Sequence, residues 1–236
     1  MCMVFNKIIE LKETIVLQSN RIEKMLQNCL KGVIAKDSLV IDKVVNKHEK
    51  KINKNEIKID EVITAILALY HPEAKDLRYV LMMARMNYDL ERMGDHCVEI
   101  AESAFFLLDK PEVKPLIDIP RMFESTINML QETVTAFINE DVVLSMAIHQ
   151  KDNEIENIAN QVFRELLTYM ISDPKKIENA FHLITISTNL VKISELITNI
   201  AEATIYIVEG KVVKHTKEKS EKTFDVKIAA EPEDGQ

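Results

Sequence analysis

The chain has 236 residues, 47% of them hydrophobic and 29% charged, with a formal net charge of −8. That length buries a real core in one large domain or two small ones. No segment is a basic block, and sequence-independent nucleic-acid binding needs many Lys and Arg set against phosphates, so DNA and RNA are poor candidates for a direct partner.

With only 4 Gly, 6 Pro and no Trp, the composition favours helix over sheet. Apolar residues recur at spacings of three and four almost throughout, which predicts helix after helix. The first runs from about Phe5 to Lys31, with Gly32 near its end. The second starts near Asp37 or Ser38 and continues without a break to Tyr70. His71-Pro72 ends it, because the residue before Pro avoids the right-handed helical region. The third spans about Glu73 to Asp109. DKPEVKPLIDIP (109–120) then places three prolines in twelve residues and reads as a linker. Pro120 suits the first turn of a fourth helix that ends near Asn139. Asp141 caps a fifth that ends near Ser172. Asp173-Pro174 opens a sixth that stops at Gly210. The tail from Lys211 mixes Lys with acids and reads as flexible.

No run reaches the roughly 18 apolar residues needed to cross a bilayer, and MCMVFNKIIELKET carries no cleavage-site pattern. Three unpaired cysteines, Cys2, Cys29 and Cys97, fit a reducing compartment. Cys97 reads as a small core residue. These features predict a cytoplasmic protein. Rods of 25 residues or more, about 40 Å long, with short connections make bundles.

The chain also repeats itself. LERMGDHCVEIAESAFFLLDK (90–110) aligns with LVKISELITNIAEATIYIVEG (190–210). Leu90 meets Leu190, Asp95 meets Glu195, and Ile100-Ala101-Glu102 meets Ile200-Ala201-Glu202. EKKIN (49–53) echoes DNEIE (152–156). The expected fold is therefore all-α: two tandem, similar three-helix bundles of long antiparallel helices. Residues 1–112 form the first, 113–210 the second, and 211–236 the charged tail.

On the third helix Leu90, Met93, Cys97, Ile100, Ala104 and Leu107 make an apolar seam. Gly94 costs a helix interior roughly 1 kcal/mol relative to Ala, and its smallness admits a close neighbour. Beside the seam Glu91, Asp95, Glu99 and Glu102 form a carboxylate row. The second helix presents Glu49 with Asn53, then Glu56 with Asp60, each at i, i+4. Hard cations take clusters of carboxylate oxygens, so acidic pairs from two packed helices would cradle metal. The bland alternative is a solvated face neutralised by Arg92, Lys50, Lys51 and Lys54. None of the six His has Glu three residues before it, which argues against a di-iron oxidase, and the lone His residues read as surface or seam-edge groups. No phosphate loop or nucleophile elbow is present. Nothing specifies an enzyme.

HPEAKDLRYV (71–80), LERMGDHCVEIAE (90–102), KDNEIENIANQVFRELLTYMISDPKKIENAFHLI (151–184) and ITNIAEATIYIVEGK (197–211) together resemble the PhoU family, and the resemblance spans about residues 5–211. It implies two similar three-helix bundles. It implies a non-enzymatic adaptor, a negative regulator of the phosphate-starvation response and a modulator of high-affinity phosphate uptake. The implied partners are the ATPase subunit of the phosphate ABC transporter, a membrane sensor histidine kinase and a second copy of the chain; the membrane is met only through partners. A paralogue serving another ion-homeostasis task, or a metal-dependent enzyme or store, are the other readings. The family's acidic motifs imply bound iron, zinc or magnesium. They carry over unevenly. Glu91-Asp95 matches, while Glu49-Asn53 has an amide in place of its second acid. Asp152-Glu156 matches in chemistry, but its partner has Val191 for the acid, leaving Glu195 alone.

Overall fold

A computed structural model describes residues 2–212, with side chains from residue 4. The tail expected at 211–236 lies outside the described residues apart from its first two positions. Helix α1 (Cys2–Ala35) is followed by α2 (Ser38–Lys43), a π-helical stretch at Val44–Glu49, and α3 (Lys50–Tyr70). These last three form one rod. Then come α4 (Ala74–Phe106), α5 (Asp118–Asn139), α6 (Val142–Ser172), a 3₁₀ turn at Pro174–Lys176 and α7 (Ile177–Glu209). Among the described residues every element is helical, and the six rods fall into two successive sets of three.

The helix ends have local causes. Asp37 accepts from the backbone N–H of Leu39 at 3.0 Å and Val40 at 3.3 Å. Asp141 accepts from Leu144 N–H at 2.9 Å. Both supply acceptors to first-turn donors that the helix leaves unpaired. Asp173 accepts from Lys175 N–H at 3.1 Å, ahead of the 3₁₀ turn. α3 ends because His71 adopts a left-handed conformation, φ 47°, before Pro72. Three expectations need correction. The second rod is not continuous α-helix but carries the π-helical stretch. The third helix stops at Phe106 rather than Asp109. Gly32 does not end α1, which continues to Ala35. It is instead a contact residue: a Cβ there would sit 2.4 Å from Ile41 Cγ1, so it permits the chain to double back from α1 onto α2.

The linker is clamped. Lys114, only 8% exposed, bonds to Asp118 at 2.8 Å and to Glu165 of α6. Burial opposes its charge, but these two carboxylates win and raise its pKa. Asn179 Nδ2 donates to the Pro111 carbonyl at 3.1 Å, and Lys176 Nζ to that of Val113 at 3.3 Å.

The two halves share one core. The most extensive helix pairing joins α4 to α7. Arg78 near the start of α4 donates to the Ile207 carbonyl near the end of α7, at 3.2 and 3.1 Å. Further along, His96 Nδ1 lies 2.9 Å from Asn189 Oδ1. The two helices therefore run antiparallel. The internal repeat is visible in burial: Leu90, Met93, Gly94, His96, Cys97, Ile100 and Ala101 are all buried, and so are the residues one hundred positions later. A second seam joins the halves through α1 and α5, where Gln131 Nε2 donates to Glu23 at 2.8 Å and Lys12 Nζ to the Ile138 carbonyl at 3.0 Å. Glu140, at the C-cap of α5, accepts from Lys75 and from the Tyr79 hydroxyl, both at 2.5 Å.

Two glycines separate by this geometry. At Gly94 an added Cβ would meet Ile52 Cγ2 at 3.4 Å, an ordinary contact. Gly94→Ala is therefore expected to stabilise the fold by up to about 1 kcal/mol through helix propensity. Gly32→Ala is expected to cost about 1–3 kcal/mol, because buried Ile41 must move. Denaturant unfolding of both variants checks the contrast, and equal effects would show that the clash is relieved without cost.

Candidate functional site

Two acidic centres follow from the repeat. In the first, α4 carries Glu91, half-buried, and Asp95, exposed; α3 brings up Glu56. Burial raises the pKa of Glu91, and the charges of Asp95 and Glu56 raise it further against the opposing pull of Arg92. The three carboxylates therefore share one local field. In the second, α7 carries Glu195 and α6 carries Asp152 and Glu156. Burial again raises the Glu195 pKa, followed by Asp152 and Glu156, with Lys192 and Arg92 opposing.

The remaining motif pair, Glu49 and Asn53, is bonded internally. Asn53 Nδ2 donates to Glu49 Oε1 at 3.2 Å. This directs the amide oxygen elsewhere, and Asn53 Oδ1 is buried without a hydrogen-bond partner. A buried acceptor left unpaired costs about 1–3 kcal/mol. Asn87, one turn before Glu91 and fully buried, shows the same imbalance. Its Nδ2 donates to the Glu56 carbonyl at 3.0 Å and to Asp60 at 2.9 Å, while its Oδ1 has no partner. Only Glu56, Glu91 and Asp95 are coupled electrostatically, while Glu49 and Asn53 are bonded to each other; all carry hard oxygens, the chemistry that suits magnesium, manganese or ferric iron. Among the described residues, however, no three His, Cys, Asp or Glu side chains are gathered tightly enough to hold an ion as they stand.

The second centre differs in detail. Ser194 stands where the first half has Gly94, and its hydroxyl lies 2.8 Å from Asp152 Oδ1 and 2.9 Å from the Val191 carbonyl, one proton shared between two acceptors. One oxygen of the buried Asp152 thus shares this donor, whereas in the first centre the donors Asn53 and Asn87 go to Glu49 and Asp60 and position 94 offers none. The neutralising pairs considered for the first face do not form. None of Arg92, Lys50, Lys51 and Lys54 belongs to an ion pair of the described residues. Arg92 lies instead over the Tyr88 ring, 5.8 Å from its centroid.

Sequence spacing alone underrated three groups. Glu56 sits on the expected row of α3 but outside the acidic motif. Asn87 extends the Glu91–Asp95 spacing one turn backward, a signal that i, i+4, i+8 counting carries. His96 is not a seam-edge residue: it is 9% exposed and bonded across the α4/α7 contact. Because Asn189 Nδ2 is occupied by the Thr185 carbonyl at 3.0 Å, Asn189 offers its oxygen, and His96 Nδ1 is the donor. Cys97 is a core residue as expected, and its carbonyl accepts from the Cys29 thiol at 3.4 Å.

The raised pKa values fix a sign for pH dependence. A carboxyl whose folded pKa lies above its unfolded value binds more protons when folded, so stability falls as pH rises between the two. Glu91→Gln and Glu195→Gln are therefore expected to stabilise the metal-free protein at neutral pH. After allowance for solvent screening the gain is a few tenths of a kcal/mol each. It should fade below the ordinary glutamate value of about 4.3. Melting curves across pH check this, and a loss of stability at neutral pH would contradict it.

Comparison with known proteins adds to this geometry. The family model described as the PhoU domain matches twice, over residues 15–104 and 119–204, bracketing the linker. The phosphate-specific transport system accessory protein PhoU homolog of Aquifex aeolicus is 33% identical over 220 residues, covering 92% of this chain and 99% of that protein. The Escherichia coli phosphate-specific transport system accessory protein PhoU is 26% identical over 212 residues, covering 89% and 88%. The crystal structure of PhoU from Pseudomonas aeruginosa superposes with a TM-score of 0.84 at 28% identity, over 87% of this chain and 99% of the other. The phosphate transport system regulatory protein PhoU of Streptococcus pneumoniae gives 0.83 at 25% identity, over 89% and 99%. With both halves matched by the family model and the fold shared along its length, the chain belongs to the PhoU family.

Proposed function

We propose that this protein is a phosphate-signalling adaptor without catalysis of its own, which restrains the phosphate-starvation response and tunes high-affinity phosphate uptake. The observation that carries this reading is the nearly full-length match to proteins named as accessory to phosphate-specific transport. The architecture supports it. The surfaces are long helical faces, and no described helix is long and apolar enough to cross a membrane. Membrane proteins of the pathway would be reached by docking, from the cytoplasm. The proposed partners are the ATPase subunit of the phosphate transporter and a sensor histidine kinase, with a second copy of the chain as a further contact.

The acidic centres have a place in this reading. Glu49, Glu56, Glu91 and Asp95 would hold a hard cation, with the unpaired oxygen of Asn53 as an additional donor. Asp152, Glu156 and Glu195 form the weaker counterpart, because Ser194 already engages Asp152. A bound ion would supply positive charge that joins the α3 and α4 faces. Without it, the same carboxylates present a negative surface to basic partners.

Three outcomes are expected. A deletion strain grown in ample phosphate should show high alkaline phosphatase activity, and normal repression would remove the chain from the role of brake. The double variant Glu91→Ala/Asp95→Ala should lose repression in the same assay while circular dichroism shows unchanged helix content. For the metal, elemental analysis should find an ion on the wild-type protein and on Asp152→Asn, but little on Glu91→Gln/Asp95→Asn. Equal metal content in all three would place any ion elsewhere.

A further inference from the structure

A second polar cluster lies on α1 and the π-helical stretch, and its charge has the opposite sign. Arg21 and Lys24 come from α1, Lys47 and His48 from the π-helical stretch, and Lys51 from the first turn of α3. Asn28 Nδ2 of α1 lies 3.3 Å from His48 Nε2 and ties the two elements together at this point. The charged groups that act on the His48 ring are all cationic. After burial, the lowering of its pKa comes from Lys47, Lys24, Lys51 and Arg21, and no carboxylate offsets them. None of those four belongs to an ion pair of the described residues. Lys24, Lys47 and Lys51 are exposed, so on a chain of net charge −8 this corner presents cations that no carboxylate holds in an ion pair among the described residues.

Arg21 makes the arrangement more than a solvated patch. Its Nη1 is buried and has no hydrogen-bond partner. A guanidinium nitrogen withdrawn from water without an acceptor costs more than a neutral group in the same position. Arginine presents a planar fork of donors that matches the oxygens of phosphate. The π-helical geometry bears on the placement as well. A π turn holds one residue more than an α turn, so it rotates the following chain by about 100° relative to the preceding chain. Such turns occur frequently at functional sites. Lys47 and His48 lie within this one.

We propose that Arg21, Lys24, Lys47 and Lys51, with Asn28 and His48, form a binding site for a phosphate-type oxyanion. The oxyanion would draw the Arg21 guanidinium outward, accept from the Nη1 donor that is now stranded, and neutralise the exposed lysines. Free phosphate and the phosphate of an anionic lipid headgroup share this chemistry. The inference uses none of the acidic residues and does not depend on the role proposed above.

The test titrates the full chain with inorganic phosphate by calorimetry and by thermal shift, and in parallel sediments it with vesicles of phosphatidylglycerol or of phosphatidylcholine. The expected result is saturable phosphate binding near one per chain, weakened at least about tenfold by Arg21→Gln and by Lys47→Gln/Lys51→Gln. Glu91→Gln/Asp95→Asn should bind as the wild type does. In phosphate-free buffer Arg21→Gln should melt no lower than the wild type, because the lost Nη1 makes no bond. Binding to phosphatidylglycerol vesicles alone, lost in the same variants, assigns the anion to a lipid headgroup. The proposal is overturned if neither phosphate nor vesicles bind, or if the basic-cluster variants bind unchanged. It is also overturned if binding vanishes in Glu91→Gln/Asp95→Asn, which would mean that a metal ion bridges the phosphate.

Discussion

The antiparallel contact between α4 and α7 is the constraint on which the rest depends. Each is the last helix of its half, and each buries one side against its own bundle and another against its counterpart. Residues at the contact must therefore be small or apolar, and those flanking it must tolerate water. The burial pattern at 90–101 repeats at 190–201 for this reason. The polar link at the contact, His96 to Asn189, is satisfied on the histidine Nδ1 and on both atoms of the amide. A buried polar pair that is fully bonded fixes register, whereas an apolar contact alone would tolerate sliding along the seam.

That contact also places the acidic centres. Because α4 and α7 occupy the middle, α3 and α6 pack outside them, and each acidic centre forms where an inner helix meets its outer neighbour. The two centres then diverged through single side chains. Gly94 places no side-chain donor beside Glu91 and Asp95, and Ser194 gives the second centre a hydrogen bond to Asp152. The difference is chemical rather than architectural. The first engages Glu49 through Asn53, and the second engages Asp152 through Ser194.

Most of the fold was legible in the sequence, because helix caps and apolar spacing are local. Asp37, Asp141 and Asp173 each cap where their position suggested, and the seam from Leu90 to Ala104 is buried. The resemblance of LERMGDHCVEIAE and its companions to the PhoU family named the fold, and the family match agrees. The π-helical stretch was not legible, since VVNKHE carries no proline or glycine to mark it. Gly32 was read as a stop because glycine often follows a helix, whereas its reason is the approach of Ile41. The acidic rows could be counted from spacing, but the orientation of the Asn53 amide could not. Nor could the basic cluster, whose members come from two stretches, 21–28 and 47–51, and form no block in the chain.

The internal duplication has a consequence for symmetry. In a dimer of identical chains every interface residue occurs twice, once on each side, so a polar group suited to one side must also be accommodated on the other. Here the two sides are encoded separately. His96 has Leu196 as its counterpart, and each is buried in its own half. Covalent fusion holds the halves at a fixed effective concentration, so their contact survives dilution. A partner that reads this surface therefore meets two distinguishable ends, and it can bind in one orientation where a true twofold would offer two.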